Sequence, residues 1–205
     1  MPCSHRTDCK TSFERPFFAA LLLATVASIA CAQPAASQQR PDVAPTGSEI
    51  APRGQRDVKD VTYGDWKKLC FKPGGAKMLC RTSITGTFTT GQMAVRLDII
   101  EREGDDARRL QVFSPVGMYL PNPVKITVDQ GEPYRVPYTW CLTNTCIAGT
   151  VANPPLIAEM NKGQALRLEF VDSNLLSLTT SVPLGQFAAV YKGAPAQTLE
   201  QDIDE

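Results

Sequence analysis

Residues 93–101 read Met-Ala-Val-Arg-Leu-Asp-Ile-Ile-Glu, with Val95, Leu97 and Ile99 in one series and Arg96 and Asp98 in the other. In an extended chain successive side chains point to opposite faces, so this spacing gives a strand with one apolar and one polar face. The pattern recurs outward in both directions. Leu110 and Val112 alternate within Arg108–Phe113, and Ile126 and Val128 alternate with Lys125, Thr127 and Asp129. Leu166, Leu168 and Phe170 alternate with Arg167 and Glu169, and Leu176 and Leu178 repeat the spacing. Val61–Phe71 and Met78–Thr85 form a first pair joined by a Gly-Gly loop.

Turn-forming clusters separate these runs at Glu103-Gly104-Asp105-Asp106, Asp129-Gln130-Gly131-Glu132 and Asp172-Ser173-Asn174. Short half-buried strands at such intervals predict a mainly β, antiparallel β-sandwich. Two short helices are expected. One is Pro154–Lys162, stopped by Gly163; the other is Gly185–Lys192, with Phe187, Val190 and Tyr191 on one face.

The first 32 residues carry a different message. Arg6, Lys10 and Arg15 precede an uncharged run from Phe17 to Ile29, followed by Ala30-Cys31-Ala32. A basic start, an apolar run and a small-x-small exit predict a secretory signal peptide over 1–32, cleaved after Ala32. The run falls short of the about 20 apolar residues that span a bilayer, so no transmembrane span is expected in the mature protein. A lipidated Cys31 is the rival reading, for which Ser28-Ile29-Ala30 is a poor fit. Residues 33–57 hold four prolines and no aromatic residue, and read as a disordered Pro/Ala/Gln-rich linker. The folded domain is expected over 58–193, followed by a flexible acidic tail over 194–205. Export places the domain in the periplasm or at the outer membrane.

Of seven cysteines, Cys3, Cys9 and Cys31 leave with the signal, and Cys70, Cys80, Cys141 and Cys146 remain. Four cysteines in an oxidising compartment imply two disulfides, for which three pairings exist. Local pairing, Cys70–Cys80 and Cys141–Cys146, is favoured because Lys72-Pro73-Gly74-Gly75 and Thr143-Asn144-Thr145 can each reverse the chain between the partners. Neither pair has the C-x-x-C spacing of zinc or dithiol redox sites.

Composition and residue types narrow the chemistry. The 205 residues carry no formal net charge; without the first 32, 18 basic and 19 acidic residues remain. No basic stripe offers a polyanion a seat, so nucleic acid is not an expected partner. His5 is the only histidine and lies in the signal, where it and Cys3 and Cys9 have no metal role; the mature chain has no imidazole for a Ser-His-Asp, Cys-His or zinc-hydrolase site. Gly86-Thr87-Phe88-Thr89-Thr90-Gly91 lacks the lysine of a phosphate loop. Asp105 and Asp106 are the residues a carboxylate-pair enzyme or, with Glu103, a calcium site would use, but adjacent residues in a turn are ordinarily solvated; Glu169 and Asp172 are no more distinctive. No catalytic residue, metal site or cofactor is expected.

Aromatic residues carry the remaining possibilities. Trp66, in Tyr63-Gly64-Asp65-Trp66, reads as a core residue beside Cys70, the rival being a ligand-stacking platform. Tyr134, Tyr138 and Trp140 have strand spacing and so are expected on one face, as an interaction patch if exposed or as core if buried.

Several segments resemble the invasion-associated locus B family. Tyr63-Gly64-Asp65-Trp66 with Cys70 and Cys80 is similar to its FGDW…C…C opening, and Phe113–Pro121 to its P-x-G-x-x-L-P segment. Trp140–Ala148 resembles its RC…NGC-V/I-A hairpin, with Trp140 where a basic residue is common and Thr145 in place of glycine. Val182–Ala188 is similar to its closing S-L-x-G-F. The segments keep the family's order from about Val61 to Tyr191. The resemblance implies an immunoglobulin-like sandwich, local disulfides and no catalytic residues. The expected function is a non-enzymatic, envelope-associated binding module for an unknown protein or envelope component. The alternatives are a surface virulence factor that contacts host cells and a carboxylate-dependent, carbohydrate-active enzyme.

Overall fold

The computed structural model describes residues 49–74 and 76–201. The expected signal peptide over 1–32, Cys31 and residues 33–48 of the expected linker lie outside the described residues. Those described form thirteen strands and two helices. One sheet has five strands in the order β1 (Gly54–Asp57), β12 (Leu176–Pro183), β11 (Ala165–Val171), β7 (Val124–Val128) and β8 (Tyr134–Val136). The other runs β13 (Gln197–Gln201), β3 (Lys67–Pro73), β4 (Leu79–Phe88), β5 (Met93–Arg102), β6 (Arg108–Pro115), β10 (Thr145–Ala152) and β9 (Tyr138–Cys141), with β2 (Val61–Tyr63) also paired to β4.

The two sheets pack face to face as a β-sandwich. Val95, Leu97, Ile99, Leu110 and Val112 from the larger sheet meet Ile126, Leu166, Leu168 and Val182 from the smaller, and all are buried. These are the residues of the alternating apolar series, because the facing inner sides of two sheets let period-two apolar side chains leave water together.

The expected first strand is broken at Gly64-Asp65. Its front half, β2, pairs with the far end of β4, Tyr63 opposite Gly86, while β3 pairs with the near end. Gly86 permits this crossing: a Cβ there would lie 2.6 Å from Val61 Cγ1 and 2.8 Å from the Tyr63 ring.

Both helices form at their expected places, the first ending two residues early and the second starting two residues late. Helix α1 spans Pro154–Met160, with two prolines in its first turn and the Asn153 side chain accepting from Leu156 N at 3.0 Å. Its stop includes Gly163, where a Cβ would come within 2.4 Å of Val128 Cγ1. Helix α2 spans Phe187–Lys192 and stacks Phe187 on Tyr191, ring centroids 5.2 Å apart. Trp66 meets Phe187 edge to face at 4.8 Å, and its indole N–H donates to Pro183 O at 2.7 Å, so it is a core residue rather than a platform.

The expected domain limits need correction at both ends. Residues 49–57 were expected in the linker, yet Gly54–Asp57 forms β1, parallel to β12. Before it, Ile50 and Asn122 exchange two hydrogen bonds, and Glu49 pairs with Lys125 at 3.4 Å and with Arg135. In the expected tail, Gln197–Gln201 forms β13, parallel to β3. The sandwich is therefore not purely antiparallel. Both end strands attach through backbone hydrogen bonds at open sheet edges, which needs no apolar alternation and leaves no mark in composition.

Candidate interaction surfaces

Cys70 and Cys80 are directly opposed on β3 and β4, and Cys141 and Cys146 on β9 and β10; each pair is at disulfide distance with Cα atoms 4.0 Å apart. The surroundings differ. Cys70 is 1% exposed on an interior strand, whereas Cys141 is exposed on the sheet's last strand. Paired thiols fit an oxidising, extracytoplasmic compartment.

Tyr134, Tyr138 and Trp140 do not form one face. Tyr134 is on β8 of the smaller sheet, and its hydroxyl donates to Glu159 Oε1 at 2.9 Å. The chain then passes Pro137 and enters the other sheet as β9. Tyr138 there packs on the core, and burial pushes its hydroxyl pKa up to about 12. Trp140, opposite Ile147 on the outer face, is 58% exposed. Period-two spacing fails twice: Tyr134 is on a different strand, and within β9 a bulge, where the register shifts between Ile147 and Ala148, turns Trp140 to the face opposite Tyr138. Leu142, 52% exposed at the turn, extends the outward apolar surface from Trp140, and its N–H donates to Thr145 O at 2.7 Å.

The outer face beside this hairpin holds residues that reading the sequence missed. The Arg96 guanidinium lies 3.7 Å from the centroid of the Phe113 ring and pairs with Asp98 at 3.2 Å. Asp98 is 1% exposed, and its Oδ1 has no hydrogen-bond partner among the described residues. Burial holds its carboxyl above the usual carboxylate range, against the opposing pull of Arg96 and Arg81. A polar residue in the outward series reads as solvated; nothing in the spacing signals that arginines and a ring close over it.

A second feature is an apolar cleft of about 260 Å³, at the place where the chain leaves β1 of one sheet and enters β2 of the other. Its walls come from both sheets and include Val58, Val61, Phe88, Val95, Phe170 and Leu178. Arg56 is an exposed cation at its edge.

The carboxylates weighed as catalytic or calcium-binding serve local structure, except Asp106, which contributes only its backbone carbonyl, to Arg108. Asp105 accepts from Ala107 N, Glu103 from Met78 N, and Asp172 from Asn174 N and Leu176 N. Glu169 pairs with Lys125 at 3.2 Å. No described helix is long and apolar enough to cross a membrane.

Comparison with known proteins fits this architecture. The crystal structure of invasion associated protein b from Bartonella henselae superposes with a TM-score of 0.56 at 21% identity, covering 63% of this chain and 90% of that one. That likeness concerns the fold alone. No curated protein matches the chain. The family model described as Invasion associated locus B (IalB) protein matches residues 66–195, from the buried Trp66 to just before β13. The chain belongs to the invasion-associated locus B family.

Proposed function

We propose that the protein is an exported, envelope-associated, non-enzymatic binding module that docks a protein or envelope component on the Cys141–Cys146 hairpin. The observation that carries this reading is Trp140, 58% exposed on an edge strand closed by a disulfide. A large aromatic side chain held on a fixed hairpin loses little entropy when covered, which is why tryptophan is over-represented among residues that dominate binding energy. The strand edge beside it can also hydrogen-bond an extended segment of a partner. The signal-peptide pattern of residues 1–32 and the paired cysteines support export.

The test is photo-crosslinking in the native host with a photoreactive residue in place of Leu142. A discrete adduct is expected, and Trp140→Ala should abolish it while changing stability by no more than about 0.5 kcal/mol. An adduct of equal yield in Trp140→Ala, or none in either protein, would reject the hairpin as the docking surface.

A second reading, contact with a host-cell surface, is favoured by the family's description and the name of the Bartonella protein. It requires Trp140 to face outward from the cell, so labelling of intact cells separates the two readings.

A further inference from the structure

We infer that the cleft between the sheets is a binding site for a medium-chain fatty carboxylate, with the chain between the sheets and the carboxylate on Arg56. This goes beyond the hairpin reading and does not depend on it, since Trp140 lies on the outer face of the larger sheet and the cleft opens from the inner side.

The cleft exists because of connectivity. β1 belongs to the edge of the smaller sheet and β2 to the larger, so the linking residues cross the gap and hold the sheets apart at that end. The Tyr63 hydroxyl bonds Thr180 Oγ1 at 2.9 Å across the same gap, bracing it. Neither wall can close on the other without breaking that bond and the β2–β4 pairing.

The space and its lining select the ligand. At about 260 Å³ it exceeds the roughly 150 Å³ that admits a benzene ring to an engineered core cavity. If each methylene takes about the 30 Å³ that a water molecule occupies in the liquid, the space holds roughly eight or nine carbons, the tail of decanoate behind its carboxylate. The walls are mainly aliphatic and aromatic, which suits a hydrocarbon chain.

One polar feature argues against a pure hydrocarbon; the buried Ser114 hydroxyl in the lining is met by the Tyr138 hydroxyl and asks nothing of a ligand. Arg56 lines the cleft as its one basic residue, and no carboxylate pairs with it among the described residues. A single guanidinium fork matches one carboxylate, and a lone cation favours a monoanion over a phosphate dianion.

The experiment is calorimetric titration of the protein, purified from its native envelope, with sodium decanoate and with decanol. Saturable one-to-one binding of decanoate is expected, about tenfold tighter than decanol. Arg56→Glu should remove that preference without lowering the melting temperature, because Arg56 is exposed. Ala94→Phe, which fills the cleft, should abolish binding of both probes; should that variant not fold, Arg56→Glu alone decides. Trp140→Ala should bind decanoate as the unaltered protein does. The proposal is overturned by absence of saturable binding, by equal affinity for acid and alcohol, or by a preference that survives Arg56→Glu. Loss of decanoate binding in Trp140→Ala would overturn the cleft assignment and move the site to the hairpin.

Discussion

The outer face of the five-stranded sheet carries Gln55, Asp57, Lys125, Arg167, Glu169 and Ser181, and its charges are paired or solvated. The outer face of the eight-stranded sheet carries Leu69, Ile100, Phe113 and Ile147 around Arg96 and a buried Asp98. Both sheets present the same apolar alternation to the shared core, so core packing does not explain the contrast. The smaller sheet treats its outer face as a boundary with water. The larger one builds a second, thin layer from rings, aliphatic side chains and stacked guanidinium groups, and both disulfides clamp strands of that sheet. A period-two pattern thus specifies which side chains leave the core, but not whether they reach solvent.

Three experiments break or sharpen this contrast. The largest expected effect comes from Cys70→Ala with Cys80→Ala. Opening this interior clamp should cost about 3 kcal/mol in denaturant unfolding, more than Cys141→Ala with Cys146→Ala, because the loop is longer and Cys70 is buried. Equal losses would mean that position within the sheet does not matter.

Next in size is Phe113→Ala, which removes a ring 9% exposed and uncovers the Arg96–Asp98 pair; about 2 kcal/mol is expected. Ser181→Ala, at an exposed place on the other sheet's outer face, should stay within about 0.5 kcal/mol. If Phe113→Ala were equally mild, the second layer would contribute nothing to stability.

The smallest effect concerns pH. The Asp98 carboxyl is held above its unfolded value, so between the two values the folded state binds more protons than the unfolded one. Stability contributed at this site is therefore lost as pH rises from the ordinary carboxylate range through the folded value, and regained on acidification. Melting curves across that range should show the wild type gaining on Asp98→Asn as pH falls. A constant difference would mean that Asp98 is solvated like the carboxylates of the other sheet.

Much of the fold was legible because its cause is local. Val95, Leu97 and Ile99 alternate for the same reason that they are buried, and the cysteine pairs flank residues able to turn the chain. The candidate surfaces were less legible. Trp140 was found among the aromatic residues, but grouped with Tyr134, which lies across Pro137 on another strand, and with Tyr138, from which a bulge in β9 turns it away. Arg56 lay within a stretch read as tether, and Asp98 within an ordinary polar series. Their roles depend on neighbours far away in sequence: Thr179 and Leu178 beside β1, and Phe113 and Arg81 around Asp98.

The sequence by itself determined the strands' inward faces and the turns between them and favoured the two local cysteine pairings, since each rests on residues within a short span; the family showed in four short segments kept in order. Only the tertiary structure decided which sheet each strand joins, that both chain ends add parallel edge strands, that Trp66 is enclosed while Trp140 is not, and where the sheets part to leave a cleft. Spacing along a chain fixes direction relative to the local backbone. Burial and cavity shape follow from which distant segments arrive opposite, and backbone pairing at a sheet edge requires no particular side chain.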